Sequence, residues 1–340
     1  MKRVVVSAAG ITLVDAPRPE PLAGEALVET VVSGVCGSDT HAAAGHHPFV
    51  PLPYHPGHEV VGVVRALGDG VESVRVGDRV TVEPTLPCGD CKMCTTGRQN
   101  LCERLQFFGC GYEQGGMADF FTVPANRLHA IPAGMSDLDA ALIEPLATPV
   151  HAVRLSGGVE GKAVVIIGAG TIGLLVLAAA RHAGARTIVM TDPLEGKRER
   201  ALQLGADAVF DATRPDVVAA VRAELGESAD VVFDCVSIQS TLDQAIEMAM
   251  KAGTVVIVGV PTRPVTVPLP LVQDRQVRIQ GSATYLPVDY ATAIEIIASG
   301  AVRSDDMVTA RFPLEEAARA FAASAGGQEV KVVVTRESAA

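Results

Sequence analysis

The chain has 340 residues, 48% hydrophobic and 20% charged, an ordinary globular composition that excludes a disordered, collagen-like or coiled-coil protein. That length predicts about two domains and a core large enough to need no disulfide staples. Lys and Arg number 28 against 39 Asp and Glu, a net charge of −11. No basic surplus is left to neutralise nucleic-acid phosphates or to bind an anionic membrane surface.

The first element is a strand. Met1-Lys2-Arg3 followed by Val4-Val5-Val6 imitates a signal peptide, but the apolar run contains Ser7, stops at Asp15 and meets no small-residue cleavage site. A cytoplasmic protein is therefore expected. Residues 1–149 continue with short β-runs and many Gly and Pro, and they carry two groups of candidate metal ligands. Cys36 opens the run Cys36-Gly37-Ser38-Asp39-Thr40-His41, His58 lies in Gly57-His58-Glu59, and Glu144 lies in Ile143-Glu144-Pro145-Leu146. One thiolate, one imidazole and carboxylates make a zinc ligand set. These residues are spread over 108 positions, as expected of a site assembled by a fold. Each is weak alone, since a single His is more often a hydrogen-bonded core or surface residue. Three short patterns in one chain are stronger. Asp39 has two readings, a carboxylate that takes the second ring N–H of a zinc-bound His, or a helix cap.

Four of the seven cysteines, Cys88, Cys91, Cys94 and Cys102, crowd into fifteen residues. Such spacing favours a shared metal over disulfides, and four thiolates suit a tetrahedral Zn(II) that clips a loop. The intervening residues are mostly polar and turn-prone, so metal would supply folding energy that the loop lacks. An iron–sulfur cluster and a redox pair of thiols are the alternatives, although the ferredoxin pattern closes with three intervening residues and a proline rather than seven. Cys110 and Cys235 read as small buried hydrophobes.

Ala163 to Ala180 is eighteen residues without a charge, by length a marginal membrane span. The β-type run Val164–Ile167 and the breaks at Gly168, Gly170 and Gly173 predict instead a strand, a turn and a helix over 171–182. A strand over 187–191 follows and ends at Asp192, nineteen positions after Gly173. Strand, Gly-x-Gly-x-x-Gly, helix, strand and terminal acid in that order predict a dinucleotide site. Gly168 makes the tight turn, Gly170 lets the backbone approach the pyrophosphate, and Gly173 lets helix and strand pack. Asp192 would accept ribose hydroxyls and repel a 2′-phosphate, which favours NAD over NADP; Lys197 and Arg198 pull the other way. Alternation continues through 208–210, a helix over 215–225, 230–234, a helix over 240–251, 254–258 and 277–281. This is a doubly wound α/β sheet spanning about 150–284. A helix near 289–299 and a strand over 330–334 are expected to return to the first domain.

These patterns, in this order and at this spacing, resemble the zinc-dependent medium-chain alcohol and polyol dehydrogenases across essentially the whole chain. The branch holding sorbitol, butanediol and threonine dehydrogenases is the most similar. The resemblance implies a GroES-like β-rich catalytic domain (1–149 and 285–340) and a Rossmann domain (150–284). It implies two zinc ions per chain: a catalytic one on Cys36, His58, Glu59 and Glu144, the last directly or through water, and a structural one on the four clustered cysteines. It implies that Ser38 and His41 relay a proton from substrate towards solvent; a local turn network is the plainer reading of the same two residues. NAD would contact Gly168, Gly170, Thr171, Ile172, Gly173, Asp192, Lys197 and Val260. The implied reaction moves a hydride between a secondary alcohol or polyol and NAD, in a homodimer or homotetramer. Sorbitol dehydrogenases carry an Arg where this chain has Thr284, which counts against sorbitol itself. Threonine-type amino-alcohol oxidation, a zinc-free quinone oxidoreductase of the same fold and a non-enzymatic NAD-binding redox sensor are the rivals. The last two have no use for an intact Cys36, His58 and Glu59.

Overall fold

Five consecutive buried residues, Ala163–Ile167, form the middle of a six-stranded sheet in the computed structural model, which describes residues 1–336. The strand order is Ala208–Phe210, Thr187–Thr191, Ala163–Ile167, Ala229–Asp234, Ala249–Ile257, Arg278–Gly281, and every pair is parallel. Buried on both faces, such strands read as continuous apolar runs. Val165, Val189, Val232 and Val255 pack with Val217, Val221, Leu242 and Ile246 from the crossover helices. The eighteen-residue uncharged stretch resolves into strand, glycine turn and the helix Thr171–His182. Among the described residues no helix is long and apolar enough to cross a membrane.

Several boundaries differ from those expected, those of two helices among them. The helix over 215–225 spans Val217–Leu225, and the helix over 240–251 ends at Met248. Ala249 already pairs with Ala229, ahead of a register shift and the left-handed Ala252 at φ 61°. The residues 249–251, expected to be helical, are thus drawn into the sheet, because ladder pairing outweighs local propensity.

The chain divides into two compact units, Leu146–Tyr285 and the remainder. In the remainder, Glu25–Val35 is the hub of a seven-stranded sheet. It pairs antiparallel with Glu59–Leu67, with Phe120–Pro124 and with the late strand Lys331–Thr335. Arg79–Val82 and Leu128–Ala130 extend the sheet on one side, Val308–Pro313 on the other. In register, Gly34 stands opposite Glu59 and Val35 opposite Val332. Two apolar clusters flank this sheet, one with Val4, Tyr54, Phe321 and Val332, the other with Val28, Val80, Phe108 and Phe121.

Candidate active site

The register just described brings the separated candidate ligands together. Cys36 immediately follows the hub strand, and Glu59 begins the strand paired with it, with His58 just before. The Cys36 sulfur, one His58 ring nitrogen and one Glu59 oxygen all lie within 4.8 Å of one another. His58 and Glu59 are buried, 4% and 1% exposed. Glu144, at the start of the helix Ile143–Leu155, is outside this 4.8 Å group but buried and close enough to act electrostatically on His58. Phe107 packs its ring edgewise on His58, centroids 5.7 Å apart.

The group fits a metal ion. Sulfur, nitrogen and oxygen donors converge, and among the described residues the buried His58 Nδ1 has no hydrogen-bond partner, a costly condition unless something else satisfies it. Without metal, burial pulls the His58 imidazole down, but Asp39 and Cys36 beside it outweigh that and hold it well above its ordinary value. A bound cation would take the place of that proton.

Asp39 realises the cap. Its Oδ2 accepts the Cys36 N–H at 3.0 Å, which starts the short helix Gly37–Ala43. Its Oδ1 lies 3.8 Å from His58 Nδ1, beyond hydrogen-bond range, and instead accepts Tyr54 OH at 3.3 Å. Burial raises the Asp39 carboxyl, and His58 opposes the shift. Ser38 and His41 sit one turn apart on that helix, Ser38 half-buried and His41 exposed.

Two participants escaped the sequence reading. Lys331 is buried against Glu59, and its signal was a lone charge in the run Val330-Lys331-Val332-Val333-Val334. Tyr54, on Asp39, left no signal that distinguishes it from any core tyrosine.

In the second group, sulfur–sulfur distances are 3.4 Å for Cys88–Cys102, 3.5 Å for Cys91–Cys94, 3.8 Å for Cys91–Cys102 and 3.9 Å for Cys88–Cys94. A tetrahedron with Zn–S bonds of about 2.3 Å has edges of about 3.8 Å, so the four sulfurs are spaced for one ion rather than for a many-atom cluster. Backbone N–H groups of Cys94 and Glu103 pull the Cys91 thiol down to about 6, which favours the ligating thiolate.

In the six-stranded unit, Gly168 has φ 96°, and a Cβ at Gly173 would sit 1.8 Å from the Gly168 carbonyl oxygen. A Cβ at Gly170 would meet nothing within 4 Å, so open space lies over the first turn of the helix, where a pyrophosphate can meet free N–H groups. Thr171 and Ile172 are half-buried in that turn. Asp192 accepts Ala169 N–H and Leu194 N–H, each at 2.9 Å, and thereby ties the glycine turn to the next strand. Lys197 is half-buried, Val260 is exposed, and Arg198 donates to the Asp192 and Pro193 carbonyls at 2.8 Å. Gly168, Asp192 and Val260 all follow carboxyl ends of parallel strands, where such sheets bind ligands.

Residues 22–133 match the family model for the alcohol dehydrogenase GroES-like domain, and 171–299 match that for zinc-binding dehydrogenase. Sorbitol dehydrogenase of Ovis aries is 33% identical over 336 residues, 97% of this chain and 95% of that protein. D-xylulose reductase A of Aspergillus oryzae is 31% identical over 323 residues, 92% of this chain and 89% of that one. A zinc-binding dehydrogenase from Sinorhizobium meliloti 1021, solved bound to NADP, is 35% identical with a TM-score of 0.92, covering 98% of both chains. With this fold, these ligand groups and identities of that size over nearly the whole length, the chain belongs to the zinc-dependent medium-chain alcohol and polyol dehydrogenases.

Proposed function

We propose that the protein oxidises a secondary alcohol or polyol to a ketone with NAD, using Cys36, His58 and Glu59, with Glu144 nearby, to hold a catalytic zinc, and Cys88, Cys91, Cys94 and Cys102 to hold a structural one. The observation that carries this is the sulfur–nitrogen–oxygen triad within 4.8 Å, with His58 and Glu59 buried and Cys36 half-buried, beside the names of the relatives. When bound, zinc supplies the Lewis acidity that lowers the pKa of a substrate hydroxyl, and NAD supplies the hydride acceptor. The chain's residues do the rest. Asp39 and Tyr54 hold the loop that carries Cys36. Ser38 takes the hydroxyl proton, and the exposed His41 passes it to solvent. The glycine turn and its helix terminus bind pyrophosphate, and Asp192 accepts the adenosine ribose hydroxyls. A 2′-phosphate would meet the Asp192 carboxylate, while the Arg198 guanidinium beside it is engaged by two carbonyls; both favour NAD. Thiolate ligands need a reducing compartment, which supports a cytoplasmic setting. Among the described residues the strand Arg278–Gly281 pairs only with Ala249–Ile257, and an open edge of this kind supports a dimer formed by strand pairing.

NADH formation with 2,3-butanediol, xylitol, sorbitol, L-threonine and simple secondary alcohols, each with and without a zinc chelator, tests the reading. Chelator-sensitive turnover of an alcohol or polyol is expected. Turnover that persists after the metal has been stripped sinks it.

A further inference from the structure

A lysine buried within a β-sheet needs an explanation, because taking an ammonium out of water is costly and a buried ion pair seldom improves on apolar packing. Lys331 is 2% exposed. Its Nζ forms an ion pair with Glu59 Oε2 and donates to the Val35 carbonyl at 3.1 Å. Gly34, opposite Glu59 in the ladder, makes the room. A Cβ at Gly34 would lie 1.8 Å from Glu59 Oε2 and 2.9 Å from Lys331 Cε. Three adjacent strands therefore contribute a cation, a carboxylate and a missing side chain to one contact.

Resting on the reading of Cys36, His58 and Glu59 as a zinc site, we propose that Lys331 is a positioning residue. It occupies one oxygen of Glu59, so that the carboxylate presents a single oxygen to the ion. It also offsets charge: one thiolate and two carboxylates exceed a dication by one negative charge, the buried Asp39 carboxylate beside His58 adds to that excess, and Lys331 supplies a positive charge against it. Gly34 is the clearance that lets the pair form.

The test uses the cobalt-substituted protein and reads two quantities, the visible ligand-field absorption and the rate of cobalt release to excess chelator. The component lost in Cys36→Ser belongs to this site. Lys331→Met frees the second oxygen and leaves the negative charge unbalanced. Release from the site is expected to slow by roughly tenfold, the scale on which residues behind the ligands tune metal affinity, and the absorption is expected to weaken as the coordination number rises. Lys331→Arg keeps the charge, but its planar fork engages both carboxylate oxygens. Release is expected to quicken by a similar factor. A lysine with a merely structural role predicts faster release in both variants, with Met worse than Arg, and that pattern overturns the inference. If Lys331→Met does not fold, Lys331→Gln, which removes the charge but keeps a donor for the Val35 carbonyl, takes its place: slower release is expected, and release as fast as wild type or faster overturns the inference. If Cys36→Ser loses no component, the zinc-site reading itself fails, an outcome distinct from either result at Lys331.

Discussion

The two units of the chain reach their sites by different routes. In the six-stranded unit the contact that fixes the cofactor turn, Ala169 N–H to Asp192, joins residues 23 positions apart. In the seven-stranded unit the contact behind the proposed metal ligands, Lys331 to Val35, joins residues 296 positions apart. The first is one strand–turn–helix–strand segment, whose geometry follows from local glycine stereochemistry and a parallel crossover. The second exists only after a late strand has docked beside an early one. Binding of the dinucleotide is thus a local property of the chain. Metal chemistry is a property of the sheet.

The largest test of that division is Cys36→Ser. It should lower turnover by about a thousandfold or more, the equivalent of several kcal/mol of lost Lewis-acid stabilisation. NADH binding, followed by fluorescence titration, should remain nearly unchanged. A variant that turns over normally with a full zinc content removes Cys36 from the site.

Asp192→Ala probes the other unit. Losing charge-assisted hydrogen bonds worth about 1.5–3 kcal/mol weakens NADH binding by roughly 10–100-fold. NADPH binding should weaken less, because the repulsive carboxylate goes with it. The loss should also loosen the turn held through Ala169. Zinc content should not move; if it does, the units are less independent than the comparison says.

Cys94→Ala separates the two metal groups within one unit. Its effect should fall on stability, since the four cysteines clip a loop. A loss on the order of 3 kcal/mol, a fraction of what a structural zinc site contributes, lowers the Tm by roughly 6–12 °C. Calorimetry checks this, and an unaltered Tm would falsify the structural assignment.

The smallest effect is a control away from all the ligands. Burial raises the Asp139 carboxyl, but the Ser136 hydroxyl at 2.5 Å and the Ser304 N–H at 2.6 Å outweigh it and hold the group below its ordinary value. A carboxyl depressed on folding adds stability above its unfolded pKa, about 3.9 for Asp, and loses it as pH falls through the lower folded value. Asp139→Asn should therefore cost about 1 kcal/mol at neutral pH, and the difference from wild type should shrink on acidification below about pH 4. Denaturant melts at the two pH values measure it. A constant difference would show that the charge plays no part.

Much of the six-stranded unit was legible because its signals are local. Continuous valine and isoleucine runs mark strands buried on both faces, and glycine and acid positions mark the turns. The strand Thr187–Thr191 and the helix Thr171–His182 lie where the periodicity puts them. The helix end at Met248 was not legible, because pairing of Ala249 with Ala229 overrode propensity. In the other unit the ligand types could be listed, but not their geometry. The sequence offered Asp39 both as a cap and as the partner of His58, but nothing near it decides for the cap or points to Tyr54. Nothing near Lys331 says that Gly34 leaves room for it.

By itself the sequence determined which donors are available: four clustered thiols, a distant Cys, His and Glu set, and a glycine turn ending in an acid. Those are properties of residue type and short spacing, and short spacing restricts geometry before any long-range contact forms. Only the tertiary structure decided which of the distant donors meet, which carboxylate stands back, and that a buried ammonium lies behind Glu59. These depend on strand register across hundreds of positions, and register is set by the packing of the whole sheet.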